Sequence, residues 1–220
     1  MSNGNYQETH ERILKSGLAA FLEEGFEKAN LRRICKAAGV TTGAFYKHFK
    51  DKEALFSELV EPLASMIRKA YAQGEKRGFA GYDEGKPVTP EQVRAALEAK
   101  AAGTLATTAM LYSHRDIYEL LVFRSYGTPY EHFLDWLVDE EDRTTLRVLE
   151  LIHGAEKART VISKESLHIV NHAFYSTLSE NIIHAKSSTR RPRSFQRSSM
   201  RAGRNIARFD GSFFFCVKDN

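Results

Sequence analysis

The sequence predicts an all-α protein, and three observations support this class. Apolar residues recur at helical spacing through most of the first 185 residues. Residues that commonly cap helices stand in front of several of these stretches, namely Asn30, Thr41, Asp51 and Thr89. The strict alternation of apolar and polar residues that marks a strand does not occur before residue 205.

The composition is that of an ordinary globular protein, with 42% hydrophobic and 27% charged residues among 220. No apolar run is long enough to span a bilayer, and the N-terminus lacks an apolar signal core, so we expect a cytoplasmic protein with no membrane partner. Cys35 and Cys216 have no metal-ligand spacing, and the sequence predicts no metal and no cofactor. The net charge of +4 suits nucleic acid, but a solvated surface carries such a charge equally well.

The first helical pattern covers residues 7–24 and places five apolar residues on one face: Ile13, Leu14, Leu18, Phe21 and Leu22. Gly25 follows the last periodic residue, and Phe26 is placed to pack back on Phe21, as glycine-terminated helices favour. We expect this helix to be the scaffold for the shorter helices that follow it.

Two short helical patterns follow, one on each side of Gly39. The first has its apolar face at Leu31, Ile34, Cys35 and Ala38. Gly39 stands where a left-handed cap is needed, and the Thr41 hydroxyl can cap the free amides of the next helix. That second helix is predicted to carry small, polar and cationic residues: Thr42, Gly43, Ala44, Tyr46, Lys47 and His48. A helix, a tight glycine turn and a short polar helix predict a helix-turn-helix, whose second helix fits a DNA major groove.

The whole N-terminal stretch resembles the DNA-binding domain of the TetR family of transcriptional regulators. The downstream half of the family pattern reads here as Ile34-Cys35, Ala38-Gly39-Val40, Thr41, Gly43, Tyr46, Phe49 and Lys52-Glu53. The upstream half reads as Ile13-Leu14, Ala19, Phe21, Gly25-Phe26 and Leu31. Cys35 stands where alanine is usual, and Asn30 where threonine is usual. The resemblance covers about sixty residues and implies a ligand-responsive repressor that binds a near-palindromic operator as a homodimer.

Nine residues are predicted to contact DNA: Arg32, Arg33, Thr41, Thr42, Gly43, Tyr46, Lys47, His48 and Lys52. Free amides and hydroxyls at a helix N-terminus suit phosphate, and Gly43 lets the backbone approach the duplex. Tyr46 and Lys47 are expected to meet phosphate, whereas His48 could reach base edges. The alternatives are that the two arginines form a solvated helix face and that Tyr46 is partly a packing residue.

A fourth helix is predicted to begin after Asp51 and to carry an apolar stripe as far as Ile67. It should join a DNA-binding domain, residues 7–67, to a helical ligand-binding and dimerisation domain, residues 68–185, and Pro62 is expected to bend it.

Residues 74–90 are predicted to form a loop. Further helices are predicted after Thr89-Pro90, over residues 116–126, after Thr128-Pro129, and over residues 163–185. The last is apolar on more than one face, which indicates either a dimer helix or burial within one subunit.

The resemblance implies that the second domain encloses a small-molecule effector, whose identity the sequence does not give. Aromatic residues at helical spacing are usually core, and six residues are the candidates for lining an effector pocket: Tyr112, Phe123, Tyr126, Trp136, His172 and Tyr175. Arg124, His114 and His172 are candidate polar partners. The acidic run over residues 139–142 is interpreted as a solvated helix turn rather than a metal site.

Residues 186–220 differ in composition from the rest of the chain, because arginines there alternate with serines and aliphatic residues are rare. We interpret this stretch as a frameshifted and disordered counterpart of the family's last helix, whose loss would weaken the homodimer. A genuine basic tail that attracts DNA phosphates is the alternative, and it would suit a sequence-independent DNA binder. An enzyme is a second alternative function, but the sequence has no glycine-rich phosphate loop and no recognisable nucleophile–base motif.

Overall fold

The computed structural model describes residues 3–79 and 88–184, and within these ranges every regular element is an α-helix, as predicted. The helices are α1 (Asn3–Lys28), α2 (Leu31–Ala38), α3 (Thr42–Phe45), α4 (Lys52–Gly78), α5 (Pro90–Ser113), α6 (Arg115–Phe123), α7 (Phe133–His153), α8 (Ala155–Val161) and α9 (Lys164–His184). Among them, none combines the length and the apolar character that a membrane crossing requires. The predicted disorder of residues 186–220 lies outside the described residues.

The predicted caps form in the N-terminal domain. The Asn30 side chain accepts hydrogen bonds from the amides of Arg32 at 2.9 Å and Arg33 at 3.4 Å, which starts α2. Gly39 ends α2 in the left-handed conformation, with φ 68° and ψ 35°. Gly25 interrupts α1 with φ 76°, and this break brings the Phe26 ring to 5.8 Å from the Phe21 ring.

α1 and α4 approach closely at Gly17, where a Cβ atom would lie 2.8 Å from Leu55 Cδ2. Leu55 is completely buried, so its side chain has no free space into which to move. The absence of a side chain at position 17 therefore sets the distance between the scaffold helix and α4.

Gly17→Ala is accordingly expected to lower the free energy of unfolding by about 1–3 kcal/mol, because the added methyl overpacks the contact with Leu55. Gly103→Ala is the matched control, since no atom lies within 4 Å of its Cβ position and alanine favours a helix. Chemical denaturation measures both variants. Equal stabilities for Gly17→Ala and the unmodified chain would contradict the close packing.

α4 connects the two halves of the chain, as the sequence predicts. Its N-cap is Asp51, whose carboxylate accepts a 2.7 Å hydrogen bond from the Ala54 amide. Pro62 is accommodated inside the helix, although its missing N–H removes one bond of the ladder. The predicted loop at residues 74–90 is wrong in its first part, because α4 continues through Gly74 to Gly78. The proposed boundary between residues 67 and 68 thus falls inside a continuous helix.

The N-terminal domain is also joined to the loop between α6 and α7. The Phe26 amide donates to the Arg124 carbonyl at 2.9 Å. The Phe56 ring lies 6.3 Å from the Tyr130 ring, and the Tyr130 hydroxyl donates to Glu61 at 2.8 Å. One continuous cluster of buried apolar side chains therefore runs from α1 to α9.

Two features of the C-terminal half differ from the prediction. Thr128 does not open a helix, because its hydroxyl donates to the Ser125 carbonyl at 2.6 Å and accepts from the Tyr130 amide at 3.1 Å. These bonds hold a turn, and α7 begins only at Phe133. The short helix α8 was not predicted. Gly154, with φ 80°, separates it from α7, and this glycine is the residue in the sequence that indicates a helix break there.

Candidate nucleic-acid interface and internal cavity

The helix-turn-helix forms where the sequence predicts it. The Thr41 hydroxyl accepts a hydrogen bond from the Ala44 amide at 3.1 Å, so it caps α3 as expected. The regular helix is shorter than predicted, however, and ends at Phe45. The amides of Lys47 and His48 bond to carbonyls only three residues earlier, which tightens this part of the chain into a turn. We call residues 42–48 the recognition segment.

Four of the predicted contact residues in this region are exposed: Thr41, Gly43, Tyr46 and Lys47. Tyr46 has 56% of its surface exposed, and its ring meets the buried Phe45 ring edge-on at 5.5 Å. Phe45 and Phe49 are buried and anchor the segment from below. The structure thus presents hydroxyl, backbone, phenol and ammonium groups on one short stretch, which are the groups that contact DNA phosphates.

Thr42 is half-buried. It hydrogen-bonds to Cys35, the residue that replaces the usual alanine of the family pattern. Burial raises the pKa of the Cys35 thiol, and this hydrogen bond opposes the rise only in part. The thiol therefore remains protonated at neutral pH and acts as a small apolar residue between α2 and α3.

Arg32 and Arg33 are both exposed on α2. The Arg33 guanidinium forms an ion pair with Glu24 of α1 at 2.5 Å, with two thirds of its side chain exposed. Such a surface pair contributes little to stability and can be exchanged for a phosphate. Both arginines remain predicted phosphate contacts.

Lys52 has a structural environment that the sequence did not reveal. Its ammonium donates to the carbonyls of Phe26 at 2.6 Å, Glu27 at 3.1 Å and Ala29 at 3.1 Å, and it lies 4.4 Å from the centroid of the Phe26 ring. An ammonium has three N–H groups, and each of them donates a hydrogen bond to one of these carbonyls. Lys52 therefore caps the end of α1, and the predicted phosphate contact is not supported by this geometry.

His48 is likewise packed inward rather than projecting to solvent. Its ring stacks on the Tyr6 ring at 4.1 Å and lies 5.6 Å from the His10 ring. The pKa of His48 is lowered, first by burial and then by the nearby His10 and Lys47. A neutral, stacked imidazole does not have the free reach to base edges that the sequence suggested.

An internal cavity of about 160 Å³ lies among α4, α5, α6, α7 and α9. Its lining is mostly apolar and includes Ile67, Leu97, Leu111, Leu137, Val148 and Phe174. Of the six predicted pocket residues, only Tyr175 lines it. The pocket residues that sequence reasoning missed include Tyr71, Lys100 and Glu141.

The other five candidates lie elsewhere. Tyr112, Phe123, Tyr126 and His172 point outward and are exposed, Tyr126 by 68%. Trp136 packs against the rings of Tyr71 and Phe133, at 5.8 and 5.3 Å, and does not line the cavity. Their helices carry apolar residues on several faces, so the sequence could not tell which face borders the cavity.

The candidate polar partners have other contacts. His114 Nδ1 lies 3.0 Å from the Met110 carbonyl, so this ring packs on its own helix end. Arg124 pairs with Glu119 at 3.3 Å in the junction with the N-terminal domain. Neither His114 nor Arg124 lines the cavity.

A polar chain crosses one wall of the cavity. Lys100 forms an ion pair with Glu141 at 2.5 Å, and the Tyr175 hydroxyl donates to the other oxygen of Glu141 at 3.1 Å. The hydroxyls of Tyr71 and Tyr175 are in short hydrogen-bond contact. Burial, reinforced by the Glu141 charge, raises the pKa of both phenols, so both stay protonated. Because Tyr175 donates its proton to Glu141, Tyr71 is the donor to Tyr175.

Two side chains of α7, Asp139 and Asp142, lie close to His168 of α9. Each of the three offers one potential metal-ligand atom, and these atoms lie within 4.8 Å of one another. The Asp142 carboxylate already contacts His168 at 2.8 Å and accepts from the Asn171 amide at 2.7 Å. These bonds hold α7 against α9, which explains the cluster without a metal.

The arrangement of α1 to α4 defines a helix-turn-helix DNA-binding module, with a scaffold helix, a capped glycine turn and an exposed recognition segment. Residues 13–59 match the family described as bacterial regulatory proteins, tetR family. The N-terminal part of the chain is therefore similar to the DNA-binding domain of the tetR family, as the resemblance predicted.

Known regulators match the same N-terminal region, and a solved structure shares the overall fold. The HTH-type transcriptional regulator AcrR of Shigella flexneri is 53% identical over 61 residues, which are 28% of each chain. The HTH-type transcriptional regulator YdgC of Bacillus subtilis (strain 168) is 40% identical over 62 residues, 28% of this chain and 32% of that one. These matches therefore span about a third or less of the relatives' lengths. A transcriptional regulator of Aquifex aeolicus VF5 shares the fold, with a TM-score of 0.51 and 22% identity over 90% of this chain and 98% of that one.

Proposed function

We propose that this chain is a sequence-specific DNA-binding transcriptional regulator, a repressor that binds a near-palindromic operator as a homodimer. The observation that carries the proposal is the exposed recognition segment, capped by Thr41 and anchored by Phe45 and Phe49. The matched relatives, which are named as HTH-type transcriptional regulators, support it.

The residues proposed to contact DNA are those that the structure leaves accessible: Arg32, Arg33, Thr41, Thr42, Gly43, Tyr46 and Lys47. The start of α3 offers free amides to a phosphate, and the Thr41 hydroxyl can still donate its proton while it accepts from Ala44. Lys47 and the two arginines add charge, and each neutralised phosphate adds about 0.9 to the salt dependence of binding.

Gly43 gives the proposal a variant that separates folding from DNA binding. A Cβ at this position meets only the Thr41 hydroxyl oxygen, at 4.0 Å, so the fold has room for a methyl. Gly43→Ala is expected to leave stability unchanged or to raise it by up to about 1 kcal/mol, since alanine favours a helix. Affinity for DNA is expected to fall about tenfold, because the methyl occupies space that the duplex would enter.

Fluorescence anisotropy with labelled duplex DNA measures the affinity of Gly43→Ala, and thermal denaturation measures its stability. Thr160→Ala serves as the control for DNA affinity, since Thr160 is exposed on α8, outside the helix-turn-helix and outside the cavity lining, and its loss should leave DNA affinity unchanged. An unaltered affinity in Gly43→Ala would show that the duplex does not approach this face of α3.

Homodimerisation is part of the proposal, because one helix-turn-helix reads few bases and useful specificity requires two copies. α9 supports it with an outward surface that includes Ile169, 67% exposed, and the exposed Val170. Leu167, Leu178 and Ile182 bury the opposite surface of the helix within the subunit. Internal burial therefore accounts for one face of α9, and the dimer contact is proposed for the exposed face.

We expect the homodimer to be weak, since the sequence after residue 185 lacks the amphipathic helix that would pack beside α9. Sedimentation velocity should show dissociation into monomers at about 1 μM. A dimer that stays intact at nanomolar concentrations would contradict this expectation.

A small-molecule effector is the last part of the proposal. A cavity of about 160 Å³ is of the size that admits a benzene-sized group, and its lining is mainly apolar. Lys100, Glu141 and the Tyr175 hydroxyl offer one polar wall that can orient a ligand. We therefore propose an apolar, aromatic-sized ligand that carries a hydrogen-bonding group.

α4 supplies a physical connection from this cavity to the DNA-contacting residues. Tyr71, Gly74 and Glu75 line the cavity, while Leu55 and Phe56 of the same helix lie in the core of the N-terminal domain. A ligand that binds one position of α4 better than another would shift the two recognition segments of a dimer relative to each other. Release from the operator would follow.

A sequence-independent DNA binder is the rival function, and competition measurements separate the two. An operator-specific regulator keeps a preference of about 10³-fold or more for its site over unrelated DNA. A general binder loses affinity for all sequences equally as salt rises. Equal competition by unrelated DNA at all salt concentrations would refute the proposed function.

A further inference from the structure

The start of α1 reaches across to the end of the recognition segment. The Tyr6 ring stacks on the His48 ring with their centroids 4.1 Å apart and their planes 28° from parallel. The Tyr6 hydroxyl donates to the Lys47 carbonyl at 3.3 Å. One side chain therefore contacts both residues at the end of the segment, one through its ring and the other through its hydroxyl.

A second contact lies beneath the first. The His10 ring stacks on the buried Phe49 ring at 4.7 Å and lies 5.6 Å from the His48 ring. Its Nε2 atom bonds to Glu58 of α4 at 2.6 Å. The stack thus runs from Tyr6 through His48 and His10 to Phe49, and Glu58 fixes its base on α4.

The environment of His48 disfavours its protonation. Among the described residues, Nδ1 of His48 is buried and has no hydrogen-bond partner, so a protonated His48 ring would place an unsatisfied N–H there. Burial lowers the pKa of His48 first, and the neighbouring His10 and Lys47 lower it further.

We propose that Tyr6 and His10 are positioning residues, which hold Lys47 and His48 in the conformation that DNA binding requires. The regular helix ends at Phe45, so its own hydrogen bonds support these two residues less firmly than an α-helix would. The stack from α1 supplies the missing support. This inference rests on the proposed function, since it assigns a role in reading DNA to residues that lie outside the helix-turn-helix.

The first test compares Tyr6→Ala with Tyr6→Phe and Gln7→Ala. The phenylalanine variant keeps the stacked ring, and Gln7 is a neighbour whose side chain contacts Glu11 on its own helix. The probe is the duplex that the unmodified chain selects from random DNA. Tyr6→Ala is expected to bind it about three- to tenfold more weakly, Tyr6→Phe within about twofold, and Gln7→Ala unchanged.

The salt dependence distinguishes positioning from direct contact. Tyr6 carries no charge, so its removal can change the slope of log K against log salt only through Lys47. The slope should fall by up to about 0.9 in Tyr6→Ala, because the displaced Lys47 ammonium no longer neutralises a phosphate, and it should not fall in Tyr6→Phe. An unchanged affinity in Tyr6→Ala would overturn the proposal. A weaker affinity with an unchanged slope would also overturn it, because Lys47 would then keep its phosphate contact and the loss would come from Tyr6 itself.

The second test needs no DNA. Proton NMR titration of His48 should show its pKa rising toward the ordinary value of about 6.5 in Tyr6→Ala, because the ring that excludes water has been removed. The pKa should remain low in Tyr6→Phe and Gln7→Ala. An unaltered titration in Tyr6→Ala would contradict the stack itself. A chain that selects no duplex would refute the proposed function, and the titration would still decide whether Tyr6 covers His48.

Discussion

Phe56→Ala is expected to lower the free energy of unfolding by about 3–5 kcal/mol and to melt both halves of the chain in one transition. Phe56 is completely buried, and its ring meets Phe21 at 5.2 Å, Phe26 at 5.3 Å and Tyr130 at 6.3 Å. Three of these rings belong to the N-terminal domain, and Tyr130 belongs to the loop before α7. Removing the Phe56 ring therefore opens a cavity where the N-terminal domain meets the loop before α7, rather than inside either half.

Circular dichroism follows the helices of both halves together, and tryptophan fluorescence follows the C-terminal half alone. Trp136, the only tryptophan of the chain, lies in α7 and reports on the C-terminal half. Phe123→Ala is the matched control, since Phe123 is exposed and its loss should cost less than about 1 kcal/mol. Separate transitions in Phe56→Ala, with the fluorescence unchanged while the helices of the other half melt, would contradict a shared core.

Lys52→Met should have the next largest effect, a loss of about 1.5–3 kcal/mol in the free energy of unfolding. Methionine keeps the length of the side chain but removes the ammonium that binds the carbonyls of Phe26, Glu27 and Ala29. Those carbonyls follow the break of α1 at Gly25, close to the end of the helix. Without the ammonium they lose a hydrogen-bond donor, which loosens the connection between α1 and α4. Thermal or chemical denaturation measures the change.

Lys47→Met is the matched variant, because Lys47 is exposed and proposed to contact phosphate. It should leave stability unchanged and reduce the salt slope of DNA binding by about 0.9, whereas Lys52→Met should lower stability and leave the slope unchanged. The reverse pattern, a reduced slope and full stability in Lys52→Met, would restore Lys52 as a DNA-contacting residue and refute its capping role.

The N-terminal domain could be predicted in detail because its signals are local. Asn30, Gly39, Thr41 and Asp51 each satisfy or terminate a helix end within three or four residues, and all four do so in the structure. The prediction for residues 74–79 was wrong because the contacts that hold this stretch in a helix are distant in the sequence. Two glycines predicted a loop there, but packing against α5 and the bonds of Arg143 to Glu75, at 2.6 and 2.9 Å, hold this stretch in α4.

The side chains of the candidate site were harder to predict than the helices, because their partners are distant in the sequence. Lys52 binds carbonyls 23 to 26 residues away, and His48 packs on a ring 42 positions earlier in the chain. Helical spacing carries no information about such contacts. The same limit applies to the cavity, where Tyr175 was predicted, whereas Lys100 was not singled out and Glu141 was interpreted as part of a solvated helix turn.

Operator-specific binding is best tested by selection from random duplex DNA with the purified full chain. One sequence made of two inverted half-sites should be enriched, with centres about one helical turn or a multiple of it apart, as two recognition segments related by a two-fold axis require. Gly43→Ala should enrich the same sequence more weakly. A pool that remains random after repeated rounds, although the protein is folded and retains DNA, would rule out an operator-specific regulator.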